Sequence, residues 1–232
     1  MASETIKNGI LLSIKPYSEN ADHSIIEVLT PSEKISMIAQ GVNKPESKNK
    51  PNLQVGCLIE FTFFKARLNN KMSKLKKANL KFQIDLFHYN TGLLVKKIML
   101  YLSQINSHFH LVFKIYNDIL PLMNSENPAV LLTYFIANTL KCFGIQPTVN
   151  GCVECQEKNE ISDFSFKEGG FLCAKHELFP KEINYLKSCF YLFLSINDYI
   201  KNVEKNTNQR IYVELLNHLK NNGVFINWEE WK

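Results

Sequence analysis

An α+β chain is what this sequence predicts: a small N-terminal β-barrel, then an all-helical domain carrying an inserted, cross-linked hairpin. Three observations carry the prediction. Apolar residues alternate with a period of two from residue 7 to about 81, recur at helical spacing from Phe82 onward, and are interrupted between Gly151 and His176 by two pairs of metal-ligand residue types. The resulting boundaries are 1–81 for the barrel and 82–232 for the helical domain, with the insertion at 150–177.

The strands come first. Ile10, Leu12 and Ile14 alternate with Leu11, Ser13 and Lys15; Ile26 and Val28 alternate with Ile25, Glu27 and Leu29; Ile35, Met37 and Ala39 alternate with Ser36 and Ile38. Ile59, Phe61 and Phe63 share one face of a fourth strand, and a fifth fits Met72 to Leu80. Turn signals at Tyr17–Asn20, Thr30–Glu33, Asn43–Pro51 and Asn69-Asn70 separate the runs. Five short strands in so few residues predict a closed barrel; an OB-fold is the commonest of that size, and an SH3-like barrel gives much the same pattern.

Helical spacing then joins Leu93, Leu94, Ile98 and Leu102, next Leu111, Ile115, Ile119 and Leu122, and next Val130, Leu131, Tyr134 and Phe135. Asn127-Pro128 starts the third of these helices and Phe143-Gly144 ends it, with Pro147 barring continuation. A long apolar helix fits Pro180 to Ile200 and a last one Ile211 to Leu219, before a tail holding Trp228 and Trp231.

Between the third helix and the long one, Cys152 and Cys155 form a Cys-x-x-Cys, and Cys173 and His176 a Cys-x-x-His. Two tight turns that each aim two soft or borderline ligands at one point predict a tetrahedral structural Zn²⁺ site. Gly169-Gly170 supplies a turn before the second pair, and Phe164, Phe166 and Phe171 pad the hairpin. A redox Cys-x-x-C, disulfides, and a surface His176 replaced by Glu177 or water are the competing readings. A catalytic zinc needs an open coordination position that four protein ligands do not leave, and no His-x-Glu occurs in the chain.

Charge is unevenly spread. Residues 1–81 carry 13 Lys/Arg against 7 Asp/Glu, a net +6, so all of the chain's excess of +5 originates there. Such a concentration predicts a polyanion partner for the barrel. Its densest part, Lys65, Arg67, Lys71, Lys74, Lys76, Lys77 and Lys81, contains no acidic residue, and Lys44, Lys48 and Lys50 form a second group on the polar loop. Lysines neutralising successive phosphates beside an aromatic platform suit single-stranded nucleic acid, with Phe64, Tyr17 and Phe82 as stacking candidates. With Arg67 and Arg210 the only arginines, guanine edges have few bidentate partners, so binding is expected to be sequence-tolerant and salt-sensitive. The opposing reading is a set of solvated lysine faces. No apolar run reaches the roughly twenty residues of a spanning helix, and Met1 to Gly9 has no signal-like apolar core, which predicts a cytoplasmic protein without membrane contact. Cys57, Cys142 and Cys189 read as buried thiols.

Residues 9–48 (GILLSIKPYSENADHSIIEVLTPSEKISMIAQGVNKPESK), with Tyr17-x-Glu19, Leu29-Thr30 and a glycine before a loop ending in Ser47-Lys48, together with Gly144–Pro147, the two ligand pairs and Gly169-Gly170, resemble the RecO family of bacterial recombinational-repair proteins. The resemblance covers nearly the whole chain. It implies an N-terminal OB-fold, a helical domain and a zinc element. It further implies binding to single- and double-stranded DNA, annealing of complementary strands, association with RecR, docking to the C-terminal tail of the single-stranded-DNA-binding protein, action in the RecA pathway and a location at the nucleoid. Val42, Asn43 and Glu46 stand where the family tends to place Arg and Lys, and His176 where a fourth Cys is usual.

Annealing needs no covalent step, and no histidine sits in a nucleophile or acid/base arrangement, which predicts a non-enzyme. The alternative from another class is a zinc-containing RNA-binding or ribosome-associated module. A structural scaffold is a third reading, and a nuclease lacks the carboxylate cluster that would hold magnesium.

Overall fold

The computed structural model is α+β, and its described residues are 4–66, 68 and 71–224. Arg67, the Asn69-Asn70 turn and the Trp228–Trp231 tail lie outside them. Two compact units result: one runs to Ser103 and takes in Phe109–Lys114, the other takes in Gln104–His108 and the chain from Ile115.

Five strands, β1 (Glu4–Pro16), β2 (Ser24–Leu29), β3 (Lys34–Ala39), β4 (Leu58–Phe64) and β5 (Ser73–Phe82), close in the order β1-β2-β3-β5-β4. All pairings are antiparallel except β3 with β5, which is parallel and pairs only Met37 with Ser73 and Ile38 with Lys74. The alternation sends Ile26, Val28, Ile35, Met37, Ala39, Ile59, Phe61 and Phe63 into one core, as expected. In β1 it fails. The register slips between Leu11 and Ser13, so Leu11 enters the barrel core, Ile10 and Leu12 are also buried, and Ile14 is 40% exposed. A bulge inserts a residue and re-aims the side chains after it. Helix α1 (Tyr89–Leu102) packs on β1, so this strand is covered on a second face as well. A second slip, between Thr62 and Phe63, sends Leu75 and Ala78 inward at a spacing of three and leaves Lys74, Lys76 and Lys77 all exposed.

Helix α2 (Phe109–Ile119) follows, with His108 left-handed at its start. In α3 (Pro128–Thr139) every residue from Val130 to Ala137 is buried, so this is the helix around which the second unit's core is built. The Asn127 side chain accepts from the Ala129 N–H at 3.0 Å at its start. A turn of 3₁₀ helix then ends at Gly144, whose φ of 72° lets the Ile145 N–H reach back to the Leu140 carbonyl.

The next segment is a three-stranded sheet of β6 (Thr148–Cys152), β7 (Ile161–Ser165) and β8 (Gly170–Cys173), ordered β6-β8-β7. The β7–β8 hairpin was expected; β6, parallel to β8, was not, because Thr148 to Cys152 contains one apolar residue besides its cysteine. Gly170 permits that pairing. A Cβ there would lie 2.0 Å from the Thr148 carbonyl oxygen, and its φ of 143° disfavours other residues. Phe164 is fully buried, with the Phe166 and Phe171 rings edge-on at 5.0 and 4.9 Å.

The expected helix from Pro180 to Ile200 is instead α4 (Ile183–Leu194) and α5 (Ile196–Asn202). Ser195 breaks it: its backbone is extended, and its hydroxyl caps α5 by accepting from the Asp198 N–H at 3.1 Å. The last helix, α6 (Lys205–Asn221), begins before the expected Ile211 because its first turns are polar, anchored by buried Asn208 accepting from the Tyr199 hydroxyl. No described helix is long and apolar enough to cross a membrane.

Candidate metal centre and nucleic-acid interface

The three-stranded sheet brings Cys152, Cys155, Cys173 and His176 together, their ligand atoms all within 4.8 Å of one another. Each pair sits on a tight turn, closed by the Gln156 N–H to the Cys152 carbonyl in the first and the His176 N–H to the Cys173 carbonyl in the second. Cys155 and Cys173 sulfurs lie 3.7 Å apart, and the His176 Nδ1 lies 3.6 Å from the Cys152 sulfur and 3.4 Å from that of Cys173. A tetrahedral ion with metal–sulfur bonds of about 2.3 Å and a metal–nitrogen bond of about 2.0 Å needs edges of about 3.8 Å and about 3.5 Å. The donor set therefore fits such an ion, and all six cysteines are free thiols.

Burial acts against the Cys152 thiolate, but the N–H groups of Cys155, Cys173 and Glu154 aimed at it bring its pKa down to about 6. At Cys155 the Glu157 N–H favours the thiolate; loss of solvent and the neighbouring Cys173 and Cys152 outweigh it and raise the pKa. Four protein ligands would leave no position for substrate, so an ion here would be a cross-link.

The second pair is tied to the approach to α4. Buried Asp163 on β7 accepts from the N–H groups of Leu178 and Phe179, both at 3.2 Å, just beyond His176. The Lys181 N–H donates to the Ser162 carbonyl at 2.8 Å and leads into α4. Between the metal-ligand sheet and α4 lies a groove of 540 Å³, with Gly151, Ile161 and Phe171 on the sheet side and Leu186 and Phe190 on the helix side. Its charged lining groups are Lys158 and Lys187, both exposed. Ile183 and Leu194 continue the apolar face of α4 and are 62% and 57% exposed.

On the barrel, two separate lysine groups become one surface through two asparagines. Past its short pairing with β3, β5 is completed by side chains of the polar loop: Asn49 accepts from the Ala78 N–H at 2.9 Å and donates to the Lys76 carbonyl at 3.3 Å, and Asn52 accepts from the Leu80 N–H at 3.2 Å. Asn49 thus behaves as a strand partner and sets Lys48 and Lys50 beside Lys76 and Lys77. Phe64, half-buried, pairs across the ladder with Lys74, and the Lys76 ammonium sits 5.8 Å from its ring centroid. Lys65 and Lys71 are exposed and lie in the chain on either side of Arg67, which is outside the described residues. Lys44 lies farther round, 3.9 Å from Asp22.

Asn49, Asn52 and Glu4 were not singled out in sequence. Glu4 is ion-paired with Lys76, so the lysine-rich stretch is not free of acid in three dimensions. The asparagines stand three apart in a polar loop, a pattern that reads as solvent-facing until the strand beside them is known.

Residues 1–83 match the family described as recombination protein O N terminal and residues 102–220 that described as recombination protein O C terminal. Among curated proteins, the chain is similar to the DNA repair protein RecO of Mesoplasma florum, 29% identical over 178 residues that make up 74% of this chain and 66% of that protein. The protein of the same name from an Exiguobacterium species is 35% identical over 66 residues, 28% of this chain and 26% of its own length. That of Bacillus cereus is 22% identical over 175 residues, 72% of this chain and 68% of its own.

Proposed function

The chain belongs to the recombination protein O family, and from that premise we propose that it is a recombinational DNA repair mediator that binds single- and double-stranded DNA and anneals complementary strands. The single observation that carries this reading is the surface that joins Lys48 and Lys50 to Lys74, Lys76 and Lys77, with Phe64 beside Lys74 and Lys76. Lysines on it screen phosphate repulsion, and an aromatic face takes an unstacked base without selecting its identity. The strand order β1-β2-β3-β5-β4 supports an OB-fold, with residues 1–81 as the DNA-binding domain. Lys44, Lys65 and Lys71 extend the surface, and Arg67, between the last two in the chain, is a further candidate contact.

Zinc is the ion that three thiolates and an imidazole at these spacings favour; bound, it supplies a structural cross-link. Cys152, Cys155, Cys173 and His176 hold it. The protein is a non-enzyme acting in the cytoplasm at the nucleoid. It helps load RecA onto coated single strands, with RecR and the C-terminal tail of the single-stranded-DNA-binding protein as partners. An apolar groove flanked by Lys158 and Lys187 supports the last of these, since an acidic tail needs cations beside an apolar seat.

Strand annealing across a salt series tests the reading. Wild type should anneal in a salt-sensitive manner, and a Lys74→Glu/Lys76→Glu variant should lose the activity. Absence of annealing at every salt, with salt-sensitive RNA binding in its place, would replace repair with the RNA-binding reading.

A further inference from the structure

The groove and the ligand cluster share a wall. Gly151 precedes Cys152, Phe171 pairs with Cys152 in the β6–β8 ladder, and Ile161 pairs with Cys173 in the β7–β8 ladder. Cys152, Cys173 and Leu172 form a small buried cluster on which Val153 and Ile161 pack. Its strands are only four or five residues long, so an ion joining both pairs of ligands would add a cross-link to the burial that holds this wall. The opposite wall, α4, is reached from His176 through the link that Asp163 and Ser162 pin.

We propose that the metal centre and the groove are thermodynamically linked: an acidic peptide with an apolar anchor seats between the sheet and α4 more tightly when the ion is bound, and in turn retards its loss. This rests on the reading of the cluster as a metal site and of the groove as a tail-docking site, and adds their coupling. The occupant's chemistry is set by the lining. Ile161, Phe171, Leu186 and Phe190 accept one apolar side chain, while Lys158 and Lys187, with no carboxylate among the lining groups, favour acidic neighbours. Linkage is reciprocal because a ligand touching both walls interacts differently with an ordered and a released sheet.

The test uses the full-length, zinc-loaded protein and a fluorescein-labelled peptide of several aspartates ending in Phe. Zinc transfer to a chromogenic chelator is timed with and without saturating peptide, and peptide affinity is measured before and after the zinc is stripped. Peptide should slow zinc loss, and stripping should weaken peptide binding on the order of fivefold or more, the same factor by which peptide tightens the equilibrium zinc affinity. Lys187→Glu, on α4 and outside the sheet, should keep its zinc yet lose the protection. Peptide that binds the loaded protein and leaves zinc loss unchanged would overturn the linkage while the docking reading stands. No peptide binding to the loaded protein would overturn both, and purified protein without zinc by elemental analysis would remove the metal reading and the linkage with it.

Discussion

Replacing Asn49 by alanine should separate the two lysine groups without removing a single charge. The substitution deletes the bond to the Lys76 carbonyl and leaves the Ala78 N–H, on a residue only 1% exposed, without its acceptor. At about 1 kcal/mol for the first and about 1–3 kcal/mol for the second, the loop's tether weakens by roughly 2–4 kcal/mol. Lys48 and Lys50 then no longer track the strand. Each phosphate contact on single-stranded DNA contributes about 0.7 to the slope of log affinity against log salt, so losing two should lower the slope by about 1.4 and the affinity near 0.1 M salt by about 25-fold. Fluorescence anisotropy with an oligothymidylate between roughly 50 and 300 mM salt, a range over which the screening length shortens by more than half, reads both quantities. A Lys48→Ala/Lys50→Ala variant should give the same slope, and adding Asn49→Ala to it should change nothing further. A wild-type slope for Asn49→Ala alongside a reduced one for the lysine variant would refute the tether.

The same surfaces make three other outcomes testable. Phe64→Ala should weaken single-strand binding by roughly tenfold, from the loss of about 1–3 kcal/mol of stacking, while leaving the salt slope within error of wild type in the same anisotropy assay. Glu4→Gln should free Lys76 and tighten binding about two- to fivefold at low salt, the gain vanishing at high salt, since an exposed pair contributes about 1 kcal/mol at most. Gly170→Ala should force β6 away from β8 and lower both the melting temperature and the zinc content measured by elemental analysis, because its Cβ overlaps the Thr148 carbonyl.

Where one face of a strand met the core and the other met water, alternation located it, as with Ile26 and Val28 or Ile35, Met37 and Ala39. It misled in β1, where a bulge and the packing of α1 bury Ile10, Leu11 and Leu12 alike. Ser195 was illegible for a related reason: the apolar period runs through it, and its cap to Asp198 depends on a backbone bend that no period reports. The clustering of Cys152, Cys155, Cys173 and His176 was legible because two short spacings state their own geometry. The joining of the lysine groups was not, because it depends on which strand edge Asn49 meets, and that is settled by the two-residue pairing of β3 with β5.

The strand order β6-β8-β7 also sets an order of assembly. The β7–β8 hairpin closes a short loop and forms on the microsecond scale, carrying Cys173 and leading directly to His176. The parallel β6 must arrive across a longer stretch of chain, bringing Cys152 and Cys155, and repays little loop-closure entropy through its own few residues. Half of the cluster is therefore assembled early on a local element, and Cys152 and Cys155 join it only with capture of the distant strand. An ion held by all four residues would therefore close only once β6 has docked, as the final stitch of its sheet.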